Sequence, residues 1–502
     1  MSNTKFDQIM LRNCQLQPEA GAFEYEGQWY PWSFLGETIA EISHLLTTYQ
    51  VPESAEVAVI CRNRPHQAAA FCAVICSQRC VAPINPFASP DKIVADIADL
   101  EAKVVIASAQ DWQSSALQDY AAEAKILGIS LEEFRITEHV SALTEHDQND
   151  TAPSVRTQPG VAVLIQSSGT TGKPKRIPIY LEKLSAAYSH MPAGMTADGG
   201  LKLKEKPALI TQPLVHIGGM FWIVHSLLDA RPVSLLDKFN VAQWANAVER
   251  YRIRVCSLVP AMINMVLESD LSSDKLESLI CIRSGTAPRT VEAQKAFETR
   301  FGVPILTTYG ATEFSGAVCG WTMEDKKQFG DSKAGSVGRA YQGVELQVVD
   351  PESGGILAVD ETGILQVRSD QMAQKQDWVA TTDLASIDGD GFVWLRGRAD
   401  AAINRGGFKI LPTEVADILE TNAHVKEAIV VGIDDARLGQ VPVAAVELTE
   451  DADNVSEDSL KAWAKENMTS YFVPTRIAIV ETLPRTPSMK VSQGDVKRLF
   501  DN

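Results

Sequence analysis

Apolar runs of strand length alternate with amphipathic helical stretches over the first part of the chain. The run EVAVICRN precedes the helical RPHQAAAFCAVICSQRC, and VAPINP, SPDKIVADIADLEA and KVVIAS continue the series. The same alternation extends from ALITQPL to VPILTTYG. This rhythm predicts an α/β fold in which a largely parallel sheet is covered by helices on both faces.

The pattern changes from about Gly335 to short alternating runs such as GVELQVVD and GILQVRS, and SIDGDGFVWLRGR places a turn between two of them. These runs predict an antiparallel, hairpin-rich β subdomain. After Arg398 the segments EAIVVGID, VPVAAVEL and LKAWAKEN indicate a small α+β unit. We therefore expect a large N-terminal domain over residues 1–398 and a small, mobile C-terminal domain over residues 399–502.

Composition and charge narrow the function classes. The 46 basic and 64 acidic residues give a net charge of −18, which disfavours nucleic acid as a partner. The longest apolar stretch, Ala68 to Cys76, is too short for a membrane span, and the N-terminus lacks the basic and apolar regions of a secretory signal. A cytoplasmic globular protein is expected, and its oligomeric state stays open.

Eight cysteines are scattered along the chain, mostly inside apolar runs, which is typical of reduced, buried thiols. Cys72, Cys76 and Cys80 recur at four-residue spacing and are predicted to share one helical face. No histidine or further cysteine stands at ligand spacing beside them, so core packing is favoured over a metal site.

The segment VAVLIQSSGTTGKPKRIPIY is the richest in candidate chemistry. Glycines permit tight turns with inward-pointing N–H groups, while hydroxyls and lysines add donors and positive charge, so the composition favours a polyphosphate. It is not a Walker A loop, because its glycines are too closely spaced and Pro174 follows the lysine. The phosphate-binding residues are predicted to be Ser167, Ser168, Gly169, Thr170, Thr171, Gly172, Lys173 and Lys175.

SSGTTGKPK resembles the phosphate loop of the adenylate-forming superfamily, which includes acyl- and aryl-CoA synthetases. Further segments agree with that resemblance in order and spacing: SGTAP, YGATE, TTDLA, GRAD, RGGFKILPTEVADIL and PRTPSMK. The resemblance covers most of the chain and implies ATP, Mg²⁺ and coenzyme A as cofactors, with a small carboxylic acid as substrate.

The resemblance also implies individual roles around the nucleotide. Glu313 would bind Mg²⁺, Thr312 would reach a phosphate, and Tyr309 would stack on adenine beside Gly310. The turn Gly285, Thr286, Ala287 and Pro288 would contact adenine. Asp383 would accept the ribose hydroxyls, with Arg398 next to ribose and phosphate. One departure is Thr382, where the family usually has glycine.

In the C-terminal part the resemblance makes Lys490 the catalytic lysine, with Met489 in place of the usual preceding glycine. A lysine there can stabilise the negative charge that develops at the α-phosphate. Asp400 would be the hinge about which the small domain rotates. Gly406 and Gly407 would then let backbone approach the pantetheine arm of CoA.

The segment PLVHIGGMFWIVHSLL resembles the acyl-pocket region of the CoA ligases. The predicted pocket residues are His216, Ile217, Gly218, Met220 and Phe221. Their apolar character favours an apolar acid, and the absence of an aspartate here disfavours an amino acid. His225 is interpreted as a core histidine.

The expected activity is an ATP-dependent acid–CoA ligase that acts through an acyl-adenylate. The alternative is an acyl-AMP ligase that loads the phosphopantetheine of an acyl carrier protein in trans. A non-catalytic nucleotide-binding protein on the same fold is a further hypothesis, which the presence of Glu313, Asp383, Arg398 and Lys490 disfavours.

Overall fold

The computed structural model describes residues 6–131, 136–137, 157–166, 175–184, 202–285, 290–314, 316–369, 372, 377–406, 408–452, 454–486 and 489–501. The predicted sites at residues 167–173, 286–288 and 407 lie outside these ranges.

The described helices are α1 (Phe6–Leu16), α2 (Trp32–Thr48), α3 (Pro65–Cys76), α4 (Pro90–Leu100), α5 (Ser115–Glu123), α6 (Ile217–Leu228), α7 (Val241–Tyr251), α8 (Pro260–Glu268), α9 (Val291–Phe301), α10 (Met323–Phe329), α11 (Pro412–Glu420), α12 (Glu457–Asn467) and α13 (Gln493–Arg498).

The described strands up to the third sheet are β1 (Gly21–Tyr25), β2 (Gln28–Pro31), β3 (Glu56–Ile60), β4 (Cys80–Ile84), β5 (Val104–Ser108), β6 (Leu127–Leu131), β7 (Ile136–Thr137), β8 (Val161–Gln166), β9 (Arg176–Tyr180), β10 (Ala208–Ile210), β11 (Val233–Leu235), β12 (Val255–Ser257), β13 (Cys281–Ser284), β14 (Ile305–Ala311), β15 (Gly316–Gly320) and β16 (Arg339–Ala340).

Those that follow are β17 (Val344–Val349), β18 (Gly363–Ser369), β19 (Val379–Ile387), β20 (Val393–Arg398), β21 (Ile403–Arg405), β22 (Phe408–Ile410), β23 (Val425–Asp435), β24 (Gly439–Leu448) and β25 (Ile477–Val480).

The first sheet has the order β7-β6-β5-β3-β4-β8-β9. Its inner pairs are parallel, and only the edge pairs β6–β7 and β8–β9 are antiparallel. Helix α3 packs in the apolar cluster on one face, whereas α4 and α5 contribute to the cluster on the other. The predicted α/β fold with helices on both faces of a largely parallel sheet is therefore confirmed.

Two further sheets complete the part of the fold that alternates strands and helices. The second has the order β10-β11-β1-β2 and packs with α1, α2 and α6 into the same cluster as α3. In the third, β12, β13 and β14 are parallel, and β15 and β16 continue the sheet in antiparallel sense. Strands β13 and β14 thus end at one edge, where open α/β sheets bind ligands.

The fourth sheet, β17-β18-β19-β20, is an antiparallel meander, as the alternating runs after Gly335 predicted. The fifth sheet has the order β22-β21-β24-β23, with β25 parallel to β24. It has apolar clusters of its own, formed with α11, α12 and α13. An ion pair from Lys426 on β23 to Glu268 at the end of α8, 2.5 Å long, joins this unit to the third-sheet region.

Local signals explain the helix ends. At the start of α9 the Thr290 hydroxyl oxygen accepts a hydrogen bond from the Ala293 amide. Amides in the first turn of a helix have no carbonyl partner within the helix, so this bond stabilises the helix end. The same helix ends at Gly302, whose φ of 69° lies in the left-handed region that glycine adopts without strain.

The prediction for Cys80 is wrong. Cys72 and Cys76 lie on α3, but the helix ends at Cys76, and Cys80 begins β4. The chain reverses through Gln78, whose φ is 62°, so the four-residue spacing does not continue along a helix. All eight cysteines are buried free thiols, and burial raises the pKa of Cys72 and of Cys80 to about 12.

None of the described helices has the length and apolarity that a bilayer crossing needs.

A carboxyl group at the end of α11 makes stability depend on pH. Burial raises the pKa of Glu420 from its ordinary 4.5 to about 7, and the carboxylates of Asp417, Glu427 and Glu292 add to the rise. A carboxyl whose pKa is raised on folding stabilises the fold at low pH, and this contribution is lost as pH rises from about 4.5 to about 7.

We therefore expect Glu420→Gln to raise the free energy of unfolding by about 1–3 kcal/mol above neutral pH and to change it little near pH 4. The glutamine oxygen can still accept a hydrogen bond from the Ala428 amide, whose nitrogen lies 2.9 Å from Glu420 Oε1. Denaturant unfolding at both pH values measures the difference. Glu414→Gln, an exposed change on the same helix, is the control, and an equal gain in both variants would contradict the prediction.

Candidate active site

The carboxyl end of β14 carries the first group of predicted residues. Tyr309 and Gly310 close the strand, and Thr312 and Glu313 lie in the 3-10 turn Thr312–Phe314 that follows. Phe314 is buried in the cluster under the fourth sheet and so anchors the turn. A Cβ on Gly310 would lie 2.2 Å from the Gly316 oxygen, so only glycine fits where β15 crosses so closely.

The fourth sheet brings Asp383 to this strand end. The Tyr309 hydroxyl donates a hydrogen bond of 2.5 Å to Asp383 Oδ2. Burial, together with the Asp383 charge, raises the pKa of Tyr309 well above its ordinary range. The Asp383 amide also donates to Thr381 Oγ1 at 2.9 Å, which holds the local backbone. Asp383 is thus a fixed carboxylate, and no described residue hydrogen-bonds its Oδ1.

Arg398 lies opposite Asp383 in the register of β19 and β20. Its guanidinium makes a bidentate ion pair with Asp400, with bonds of 2.8 Å and 2.6 Å. This pair, more than any other contact, raises the pKa of Arg398 and lowers the pKa of Asp400. The Thr382 hydroxyl adds a smaller lowering of the pKa of Asp400, so the residue that stands in place of the expected glycine lies near Asp400.

Lys490 lies in a tight turn bridged by Arg485 and Val491. The Thr486 amide donates to the Lys490 oxygen at 2.7 Å, and Met489 adopts a left-handed φ of 64°. That conformation explains why glycine suits this position. The Met489 side chain packs against the apolar cluster of α7 and α8, which joins the turn to the large domain.

Electrostatic effects show what surrounds the Lys490 side chain. Burial lowers its pKa from the ordinary 10.5, the charge of Arg398 lowers it further, and Glu313 opposes both. Burial also lowers the pKa of His216 to about 4, and the Lys490 charge contributes. Lys490 therefore lies within electrostatic range of three residues from distant segments, namely Arg398, Glu313 and His216.

The predicted acid pocket lies at the beginning of α6. His216 precedes the helix, and its Nε2 is buried without a hydrogen-bond partner in the described part of the chain. A Cβ on Gly218 would lie 1.8 Å from Gln212 Oε1, so the helix begins tightly against the preceding loop. Ile217 and Phe221 are half-buried, whereas Met220 is fully buried in the core.

His225 stacks on Phe221 with ring centres 4.0 Å apart, and burial lowers its pKa to about 4. It is a neutral histidine inside the helix packing, in agreement with its interpretation as a core residue.

Three other predicted residues have described positions. Lys175 directly precedes β9. Gly285 follows β13, and a Cβ there would lie 2.7 Å from the Thr308 oxygen. Gly406, at a φ of 58°, forms the turn between β21 and β22, and its amide donates to the Leu438 oxygen at 2.8 Å.

Two supporting residues were not assigned from sequence. Arg485 donates to the Met489 oxygen at 3.2 Å and forms an ion pair with Glu427, so it holds the turn that carries Lys490. The sequence signal for this role was the position of Arg485 within the motif PRTPSMK. Thr381 positions Asp383, and the sequence indicated this role only through the closeness of the two residues along the chain.

The site fits a metal-bound nucleotide. Across the described ranges, no three His, Cys, Asp or Glu side chains cluster as a metal cage. Magnesium is commonly held by one or two carboxylates, with phosphates and water as its other ligands, and Glu313, in the turn after β14, is such a carboxylate.

Comparison with known families decides the classification. Residues 10–375 match the family described as AMP-binding enzyme, and residues 414–490 match the AMP-binding enzyme C-terminal domain. The chain belongs to the AMP-binding enzyme family.

This AMP-binding enzyme is similar to curated CoA ligases. It is 27% identical to a 4-coumarate–CoA ligase of Vanilla planifolia over 437 residues, which cover 82% of this chain and 78% of the relative. It is 25% identical to a 2-succinylbenzoate–CoA ligase of Bacillus pumilus over 500 residues, with 97% of both chains covered.

Solved structures share the fold of this AMP-binding enzyme. ATP-bound MatB from Rhodopseudomonas palustris has a TM-score of 0.81 at 20% identity, with 99% of both chains covered. The o-succinylbenzoate CoA synthetase of Bacillus subtilis, in complex with its acyl-adenylate, has a TM-score of 0.76 at 23% identity, with 97% of both chains covered.

The lowered pKa of Lys490 predicts the pH dependence of this AMP-binding enzyme. If the lysine acts as a cation, the adenylation rate falls as pH rises through a value below 10.5. Lys490→Arg should keep part of the rate and lose this alkaline decrease, because a guanidinium stays charged. The kcat/KM of pyrophosphate release from neutral to alkaline pH measures both, and an unchanged decrease in the arginine variant would contradict the assignment.

Proposed function

We propose that this AMP-binding enzyme is an ATP-dependent carboxylic acid–CoA ligase that forms a thioester through an acyl-adenylate. The observation that carries the proposal is the hydrogen bond from the Tyr309 hydroxyl to Asp383, because it joins the fourth sheet to the end of β14, where Glu313 follows. Lys490 lies near enough for Arg398 and Glu313 to influence its pKa. The names of the curated relatives support CoA as the acceptor.

In the first step, a carboxylate oxygen of the acid attacks the α-phosphorus of ATP, and the bond to pyrophosphate breaks. Negative charge on the phosphoryl oxygens increases in the transition state. The Lys490 ammonium and the Thr312 hydroxyl stabilise that charge from a site that largely excludes water. His216 stays neutral because burial and Lys490 lower its pKa, so its ring forms part of the pocket wall.

The nucleotide is held by groups of the third and fourth sheets. Asp383 accepts hydrogen bonds from the ribose hydroxyls, since Tyr309 occupies only its Oδ2. The Tyr309 ring and the turn that begins at Gly285 flank adenine, while Arg398 lies beside ribose and phosphate. Glu313 would hold Mg²⁺, which would neutralise phosphate charge.

In the second step, a thiol sulfur attacks the acyl carbon and AMP leaves with the electrons of the broken bond. We place the domain boundary between residues 398 and 399 and the hinge at Asp400. Rotation there replaces Lys490 by the turn of Gly406 and Gly407, whose backbone can lie close to a pantetheine arm. The bond from Thr413 Oγ1 to the Arg396 oxygen, 3.3 Å long, is one contact across this boundary that rotation breaks.

Free CoA is the acceptor that we favour, and a phosphopantetheinyl carrier protein is the alternative. The enzyme is placed in the cytoplasm, where eight cysteines remain reduced thiols. An oligomer is compatible with either acceptor.

The test is pyrophosphate release from ATP and magnesium across aliphatic, benzoic, cinnamic and amino acids, with and without CoA. We expect one class of acid to support turnover that requires CoA and yields AMP and acyl-CoA in equal amounts. A burst of pyrophosphate that only a carrier protein extends would favour the alternative. Bound ATP with no acid-dependent release across the panel would contradict both.

A further inference from the structure

Lys426 of β23 connects the small domain to the large one. Its Nζ atom lies 2.5 Å from Glu268 Oε1, at the end of α8, and 2.8 Å from Glu447 Oε1, on β24. Glu268 is an exposed residue of the large domain, whereas Glu447 is buried in the small domain. One ammonium group therefore bridges a carboxylate of each domain. We call the contact between Lys426 and Glu268 the interdomain ion pair.

An irregularity in the fifth sheet places Lys426 at this position. Val425 is opposite Leu448 in the register of β23 and β24. The next opposed pair is Glu427 with Glu447, so Lys426 is an extra residue of β23. Such a β-bulge interrupts the alternation of side chains and redirects that of the extra residue. Lys426 and Glu427 therefore both oppose the single residue Glu447.

The same two strands hold the turn that carries Lys490. Glu447 Oε2 accepts a hydrogen bond from the Leu483 amide, whose nitrogen lies 3.0 Å away. Glu427 forms an ion pair with Arg485, and Arg485 donates a hydrogen bond within the turn. The position of the interdomain ion pair and the position of Lys490 are therefore set by one part of the small domain.

The end of α8 is held by groups other than the Glu268 carboxylate. Glu268 is the last residue of the helix, where the helix dipole makes a negative side chain unfavourable. The cation at this end is Arg300, whose guanidinium donates to the oxygens of Leu267 and Ser269 at 2.6 Å each. Loss of the acid at position 268 should therefore leave the helix intact, so a substitution there tests the contact with Lys426.

We propose that the interdomain ion pair stabilises the domain arrangement in which adenylation occurs, and that it breaks when the small domain rotates for thioester formation. This inference rests on the proposed function, because the two arrangements serve its two half-reactions. In the structure the ion pair is formed while Lys490 lies within electrostatic range of Glu313. Exposed ion pairs change an equilibrium constant by about 1.5- to 5-fold, so this one favours the first arrangement and still allows rotation.

The test measures the populations of the two arrangements directly. Spin labels on Lys295→Cys of α9 and Lys497→Cys of α13, two exposed positions, report the distance between the domains, and the eight native thiols are buried. We expect Glu268→Gln to lower the ratio of the adenylation arrangement to the rotated one by about 1.5- to 5-fold. Glu268→Lys should lower it further, because a like charge then faces Lys426. Glu268→Asp should retain part of the wild-type ratio.

Salt and kinetics give two independent readouts. High salt screens exposed charges, so it should lower the wild-type ratio and leave the ratio of Glu268→Gln unchanged. Single-turnover adenylation should slow in Glu268→Lys. Thioester formation from a supplied acyl-adenylate and CoA should stay equal or become faster in the same variant, because that step uses the rotated arrangement.

Glu249→Lys is the matched control. Glu249 lies on α7 with 48% of its side chain exposed, against 47% for Glu268, and its 2.6 Å ion pair with Lys275 lies within the large domain. The same charge reversal there should leave the domain distances and both half-reactions unchanged. Unaltered distances in Glu268→Lys, equal shifts in the two reversals, or equal slowing of the two half-reactions would overturn the proposal.

The domain distances do not depend on turnover, so failure of this inference and failure of the proposed function are distinguishable. Acid-dependent pyrophosphate release, with domain distances that do not respond to substitution of Glu268, would overturn the role of the ion pair and leave the ligase function standing. A shift in the distances without release of pyrophosphate from any acid would overturn the ligase function and support the ion pair as a control of domain position.

Discussion

Replacing Lys490 by alanine lowers the rate of adenylation by about 10²–10³-fold, the usual loss when one preorganised donor to a developing oxyanion is removed. The half-buried position of Lys490 explains the size of the effect, because charge is screened less where water is excluded. The turn itself should persist, since its bonds to Thr486 use backbone atoms of Lys490.

We expect the Lys490→Ala substitution to slow adenylation but not thioester formation. Thioester formation from a supplied acyl-adenylate and CoA should stay close to the wild-type rate, because the proposed rotation removes Lys490 from the site before that step. Single-turnover measurement of each half-reaction gives both rates. Lys497→Ala, an exposed lysine on α13, is the control. Equal losses in the two half-reactions would show that the substitution disturbs the fold rather than the adenylation chemistry.

Replacing Asp383 by alanine has the second largest expected effect. The carboxylate is the proposed acceptor for the ribose hydroxyls and also the partner of the Tyr309 hydroxyl. Loss of a charged hydrogen-bond acceptor costs about 1.5–3 kcal/mol, so kcat/KM for ATP should fall about 10- to 100-fold. The KM for the acid should change little, because the acid pocket lies at α6 and not at the fourth sheet.

Tyr309→Phe separates the two roles of this pair. It keeps the ring that faces adenine and removes the hydroxyl that orients Asp383, so a smaller loss in kcat/KM for ATP is expected. Asp390→Asn is the control, since this carboxylate is exposed and pairs with Lys333. If deoxyribose forms of ATP lose as much rate with Asp383→Ala as ATP does, the carboxylate does not bind the ribose hydroxyls.

The positions around β14 illustrate what could be predicted. The apolar run VPILTT predicted a strand that ends just before Tyr309. The structure has that strand, but it continues to Ala311, and the turn with Glu313 follows. Helical and strand periodicities are properties of the local backbone, so sequence alone carries them. The close approach at Gly310 is different, since it depends on where β15 crosses.

Cys80 shows where spacing misleads. A four-residue repeat is necessary for a helical face but does not say where the helix ends, and the reversal at Gln78 ends it first. Arg485 shows a second gap, because its role in holding the Lys490 turn depends on Glu427, a residue of another strand.

The sequence by itself determined the α/β organisation, the antiparallel meander and the identity of the residues that carry the expected chemistry, because these follow from local periodicity and from motif residues. Only the tertiary structure decided that the Tyr309 hydroxyl bonds Asp383, that Arg485 pairs with Glu427, and that Lys490 lies within electrostatic range of His216 and Glu313. Such contacts join segments far apart in the chain, and packing between whole sheets and helices, rather than any local pattern, sets their distances.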